Sequence, residues 1–166
     1  MVNNSYSLKR LDYLKKILET RLIKDEKLLS DAHKEYINAY DVLEKRKSLI
    51  ERLNVDKKRF KEYVNSHNLY GNYTLETRVR EEDTKYWINY DMELHEYYYS
   101  QEKVELDEKE HDYNNKRKVW MKQKKKIESL EKMYRNIQQT SINKRHEKES
   151  EEVLEGQTKK SESSSW

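Results

Sequence analysis

Histidines, carboxylates and a lysine-rich run are the residues here with chemistry to offer, and their spacing argues against catalysis. Two imidazoles four apart on a helix share a face and can hold zinc. The five histidines (33, 67, 95, 111 and 146) contain no such pair, and the chain has no cysteine to complete a ligand set. A catalytic nucleophile needs a base and an orienting group converging where water is excluded. No such grouping is visible. Loops that cradle phosphate need clustered glycines, and Gly71 and Gly156 are the only glycines in 166 residues. The expectation is a protein with no enzymatic activity, metal or cofactor.

Two charge runs remain. Residues 102–112 hold six acids, and Lys116–Lys126 holds seven bases around Trp120. Bases interleaved with an aromatic ring suit phosphate binding and base stacking. Runs of this kind are, however, routine on solvated helix faces. The reading favoured is a solvated face partly paired with Glu19, Asp25 and Glu26, with contact to an acidic partner protein as a further option. A net charge of +3 is too small to mark nucleic acid as the main partner.

The elements that must position these groups are helices. Proline is absent, charged residues make up 40% and apolar residues 34%, too few for a compact core but enough for a narrow shared seam. A three-four alternation runs Leu18, Leu22, Asp25, Leu29, Ala32, Tyr36, Ala39, then Leu43, Arg46, Ile50, Leu53, Lys57, Phe60 and Val64. Eleven of these fourteen positions are apolar. A seam sustained at period 3.5 predicts a supercoiled partner helix. Ser5 or Ser7 is the expected cap. Asn65 to Thr74 reads as a turn around Gly71.

The fold expected is all-α: a long antiparallel two-helix coiled-coil hairpin over 1–155, with a disordered C-terminal tail over 156–166. Helix one covers about 5–65, the turn about 66–76, and helix two about 77–155 from a start at Thr74 or Thr77. Helix two carries two apolar stripes. One runs Trp87, Tyr90, Leu94, Tyr97, Gln101 and Val104; the other steps by seven from Met92 through Tyr99, Leu106, Tyr113, Trp120 and Ile127 to Tyr134. They lie roughly 200° apart on a helix. One partner helix covers only one of them, leaving the other as the candidate binding face. With a turn at Gly71, residues whose numbers add to about 143 oppose each other, which sets Tyr90 against Leu53 and Val104 against Ala39. Exposed faces carry acid–base pairs four apart: Asp12/Lys16, Asp41/Lys45, Glu105/Lys109, Asp112/Lys116, Glu128/Lys132 and Glu131/Arg135. No window approaches the ~20 apolar residues of a membrane span. The first residues hold no leader-like run, and a cytoplasmic location is expected.

The motif Trp87-Ile88-Asn89-Tyr90, followed by Leu94 and Tyr97, resembles the flagellar type III export stalk protein FliJ, as does Trp120 before a lysine-rich turn with Ile127 and Leu130. The injectisome counterparts, the YscO/InvI group, share the outline. The resemblance implies the central stalk of a type III secretion ATPase complex, at the cytoplasmic face of a secretion apparatus. Its terminal end would enter the ATPase hexamer, through the charged residues Lys9, Arg10, Lys15, Lys16, Lys132 and Arg135. The export gate's cytoplasmic ring would be met by Trp87, Tyr90, Tyr97, Ser100 and Val104, with Glu93 standing where the flagellar family has an aromatic residue. Secretion chaperones would be further partners. The alternatives from other classes are an export chaperone or escort that holds secreted clients on the spare face, and a general coiled-coil scaffold dimerising through its seam.

Overall fold

The computed structural model describes the backbone of residues 2–69 and 74–163, and side-chain surroundings for 6–67, 74–155 and 157. Two helices make up the fold: α1, Val2–Leu69, and α2, Leu75–Ser163. The chain is an all-α two-helix hairpin. It divides into two compact units, one of Met1–Lys27 with Arg117–Trp166 and one of Leu28–Lys116. Within each, rising numbers on α1 meet falling numbers on α2.

In the Leu28–Lys116 unit the seam follows the three-four alternation. From Leu29 to Val64 every predicted seam residue on α1 is buried or half-buried except Lys57. Ala32 and Leu43 are the most enclosed apolar side chains, at 3% and 8% exposure. The exception has a consequence: around Lys57, Phe60 and Val64 face Ile88 and Asn89 across an open groove, because a lysine there keeps its ammonium in water. His33 and Tyr36 both pack on Tyr113, at ring separations of 5.1 and 6.0 Å.

In the other unit, Leu8, Leu11, Leu18, Leu22 and Asp25 take the seam positions of α1. On α2, Ile127 is 8% exposed, and Trp120, Gln123, Leu130, Tyr134 and Ile137 are half-buried. The seam ends at Ser141; from Ile142 to Glu155 every residue is exposed. A two-helix seam covers one stripe of each helix, so no described side chain is fully enclosed.

Element ends differ from expectation except at the start of α2. α1 begins at Val2, ahead of the expected caps, so Ser5 and Ser7 lie inside the helix. It runs on to Leu69 through Asn65 and Ser66. The Ser66 hydroxyl donates to the Tyr63 carbonyl at 2.7 Å, a local bond that lets serine sit within a helix. The expected turn residue Gly71 lies outside the described residues. Thr74 is the N-cap of α2: its Oγ1 accepts from the Thr77 N–H at 3.2 Å, and its carbonyl accepts the Arg78 N–H at 3.1 Å. Thr77 returns a hydroxyl contact of 2.7 Å where a capping box has an acid. At the other end, α2 continues to Ser163 through residues 156–163, which were expected as tail. One helical glycine costs only about 1 kcal/mol, and Lys and Glu around Gly156 are good helix formers, so Gly156 does not end the helix.

Candidate interaction surface

The seam of α2 is the stripe from Met92 to Tyr134; the other stripe faces outwards apart from Leu94, which is half-buried. Trp87, Tyr90, Tyr97 and Val104 are 59%, 46%, 59% and 57% exposed. Tyr90 and Val104 therefore do not oppose Leu53 and Ala39 as expected. The helical register itself is close to the expected one: Glu35–Lys109, Lys15–Glu131 and Arg46–Glu102 have numbers that add to 144–148. The misplacement is rotational. A helix that buries Met92 and Tyr99 must turn residues two positions earlier away from its partner.

The outward face is organised as well as exposed. Tyr86, Trp87 and Tyr90 form an edge-and-stack cluster with ring separations of 5.5, 5.9 and 6.4 Å. Tyr97 and Tyr98 meet edge to face at 5.7 Å. Ser100 is exposed and donates its hydroxyl to the Tyr97 carbonyl at 2.7 Å, so its side chain is engaged with its own helix. Between residues 81 and 108 the chain has ten acids against two bases, Lys85 and Lys103. The exposed rings offer contact area at low entropic cost, and the carboxylates among them give the face a negative field.

Beneath this face the seam carries a polar cross-link that the sequence reading did not identify. Arg46 donates from Nε and Nη2 to the Glu102 carboxylate, at 3.2 and 2.8 Å, and from Nη1 to His95 Nδ1 at 2.7 Å. Its guanidinium also lies 5.0 Å from the Tyr98 ring centre. The bond to His95 requires the neutral ring, with the proton on Nε2. The Glu102 hydrogen bond above all holds the Arg46 pKa above its ordinary value. The available signal was an arginine at a seam position, which demands a carboxylate across the helix pair.

The cationic residues expected to meet an ATPase divide in two. Lys15 lies at a seam position, 3.1 Å from Glu131 and 3.7 Å from Glu19. Its pKa is raised, chiefly by the hydrogen bond to Glu131. Lys16 pairs with Asp12 at 3.0 Å. Both therefore have ion-pair partners on the chain itself. Lys9, Arg10, Lys132 and Arg135 are exposed and have no ion-pair partner among the described residues. Of the six expected four-apart pairs, Asp12/Lys16 and Asp112/Lys116 form; Lys109 and Glu131 instead reach across the seam to Glu35 and Lys15.

The lysine-rich run is also less paired than expected. Lys116 bonds Asp112 at 2.6 Å, and Lys124 sits 5.1 Å over the Trp120 ring. Arg117, Lys118, Lys122, Lys124, Lys125 and Lys126 make no ion pair among the described residues, and Glu19 is taken by Lys15. Among the described residues no group of three His, Asp or Glu side chains could hold a metal ion. No described helix is long and apolar enough to cross a membrane. No protein family, curated protein or solved structure matches this chain.

Proposed function

We propose that this chain is a coupling protein of a type III secretion system, the central stalk of its ATPase complex, acting by contact and without chemistry of its own. The observation that carries the proposal is the outward aromatic face of α2 around Trp87, Tyr90 and Tyr97, opposite the seam that joins α2 to α1. A helix pair that needed only to fold would gain nothing from exposing these rings. This face is the docking surface for the export gate, with Val104 and Ser100 at its edge. The unit that holds both chain ends carries the cationic residues Lys9, Arg10, Lys132 and Arg135, which suit the wall of an ATPase ring. A stalk of this kind belongs at the cytoplasmic face of the apparatus.

The test is titration of the full chain into the type III ATPase of the same organism. The expected result is a higher hydrolysis rate and a shift to hexamers, both lost when residues 1–15 and 140–166 are removed. Trp87→Ala with Tyr97→Ala leaves that stimulation intact and abolishes capture of the export-gate cytoplasmic domain. Absence of both stimulation and gate binding by the intact chain overturns the proposal.

A further inference from the structure

The outward stripe of α2 reverses its chemistry along the helix. At seven-residue steps it reads Glu76, Asp83, Tyr90 and Tyr97 in the Leu28–Lys116 unit. After Val104 and His111 it continues as Lys118, Lys125 and Lys132, of which all three belong to the other unit. Every one of these positions is exposed. Seven-residue steps hold one position of the heptad, so within each unit these residues occupy one place relative to that unit's seam. Glu76 is paired with Arg80 on its own helix at 2.6 Å, whereas Asp83, Lys118, Lys125 and Lys132 make no ion pair among the described residues.

Such a stripe is complementary to its own reverse. Laid antiparallel about Val104, Asp83 meets Lys125, Glu76 meets Lys132, and Tyr90 meets Lys118, while Val104 meets its own copy. An ammonium over a tyrosine face is an attractive cation–π contact. The flanking positions agree: Trp87 falls beside Lys122 and Tyr86 beside Met121, which is itself 43% exposed. No like-charged pair arises along the stripe in this register. The charge totals point the same way. The Leu28–Lys116 unit has 15 bases and 20 acids, net −5, and the remainder has 20 bases and 12 acids, net +8.

We propose that two copies of this chain associate antiparallel through this stripe, the acidic aromatic half of each meeting the lysine half of the other. Two-fold symmetry makes the contact twice and closes the assembly as a dimer. The inference stands on the stripe alone and does not depend on a secretion role. Where that role holds, the dimer covers Tyr90, Tyr97 and Lys132, so it is a stored form that a gate or ATPase must open.

Sedimentation equilibrium of the full chain at micromolar concentration tests this. Screening shrinks from a reach of about 10 Å near 0.1 M salt to about 3 Å at 1 M, so the dimer present at low salt dissociates at high salt, with association weakened at least about tenfold. Lys118→Glu with Lys125→Glu and Lys132→Glu gives a monomer, as does Glu76→Lys with Asp83→Lys. Mixing the two variants in equal amounts restores a dimer. Circular dichroism shows each variant as helical as the parent, since all five sites are exposed. A parent that is monomeric at low salt overturns the proposal. So does a dimer unaffected by salt and by both sets of substitutions, or helical variants that fail to associate when mixed.

Discussion

In the Leu28–Lys116 unit, α2 turns tyrosine and tryptophan outwards over a seam crossed by Arg46, Glu102 and His95. In the other unit the same outward position carries lysine, over a seam crossed by Lys15 and Glu131. The seams differ in depth. Arg46 and Glu102 keep only 22% and 15% of their side-chain surface, against 35% and 37% for Lys15 and Glu131. Arginine can bridge a carboxylate with a planar fork and stack on Tyr98 at once, whereas lysine offers a single hydrated point charge. The first pair therefore fixes register within a seam, and the second borders one. On the outer face the ordering is reversed: rings need a partner to be covered, and lysines are content in water.

The largest test of this contrast lies in the apolar layers. Leu43→Ala and Ile127→Ala each leave a void in a seam with little else to collapse into it, at a cost of about 2–3 kcal/mol. Chemical denaturation followed by circular dichroism measures the loss. Hydrogen exchange locates it: Leu43→Ala raises exchange mainly within 28–116, and Ile127→Ala mainly within 117–141. Equal acceleration throughout for both variants would show that the two units open together and that the contrast has no energetic content.

Next in size is the polar cross-link. Glu102→Ala strands the half-buried Arg46 guanidinium and costs about 1.5–3 kcal/mol, towards the lower end because water still reaches one side. Replacing both residues by leucine recovers most of that loss, since paired burial of charge gives little net stability. What the double variant loses is specificity. Disulfide trapping between cysteines placed on the two helices is expected to capture one register in the parent and neighbouring registers in the leucine pair. Glu131→Ala, at the more exposed pair, has a smaller effect on both readouts.

Most of this architecture could be read from the residues. The absence of proline, the scarcity of glycine and the run from Leu18 to Val64 specified two antiparallel helices and, apart from Lys57, the α1 seam. The seven-residue series from Met92 to Tyr134 was equally visible. Choosing which α2 stripe would pack was harder, because both are apolar between 87 and 106 and a period cannot rank them. Length decides it: the Met92 series continues for six steps and the Trp87 series ends at Val104. The polar links escaped because each spans 49 residues or more of sequence and depends on side-chain rotation. The start of α2 at Thr74 was among the expected positions; the other helix ends escaped because single residues such as Ser66 and Gly156 weigh little against a long seam.

The smallest effects come with pH. In the Leu28–Lys116 unit, Lys109 donates to Glu35 at 2.7 Å. That bond, with the Coulombic attraction of Lys109, holds the Glu35 pKa below the usual carboxylate value and the Lys109 pKa above the usual lysine value. A lowered carboxylate contributes stability that is full above the unfolded-state value and fades as pH falls through the folded-state value. A raised lysine contributes stability that is full below its unfolded-state value and fades as pH rises through the folded one. In the unit that holds both chain ends, Lys15 titrates in this second sense. Acidification through the carboxylate range is therefore expected to lower the melting temperature slightly through Glu35, and Glu35→Gln removes that part of the slope. Alkaline titration through the lysine range weakens both units, and Lys15→Met removes the contribution of the terminal one. Both pairs are solvent-exposed, so the slopes are modest and fade in high salt. An acid slope that survives Glu35→Gln unchanged would assign it to carboxylates elsewhere, and the contrast between the units would then rest on their apolar layers and Arg46 alone.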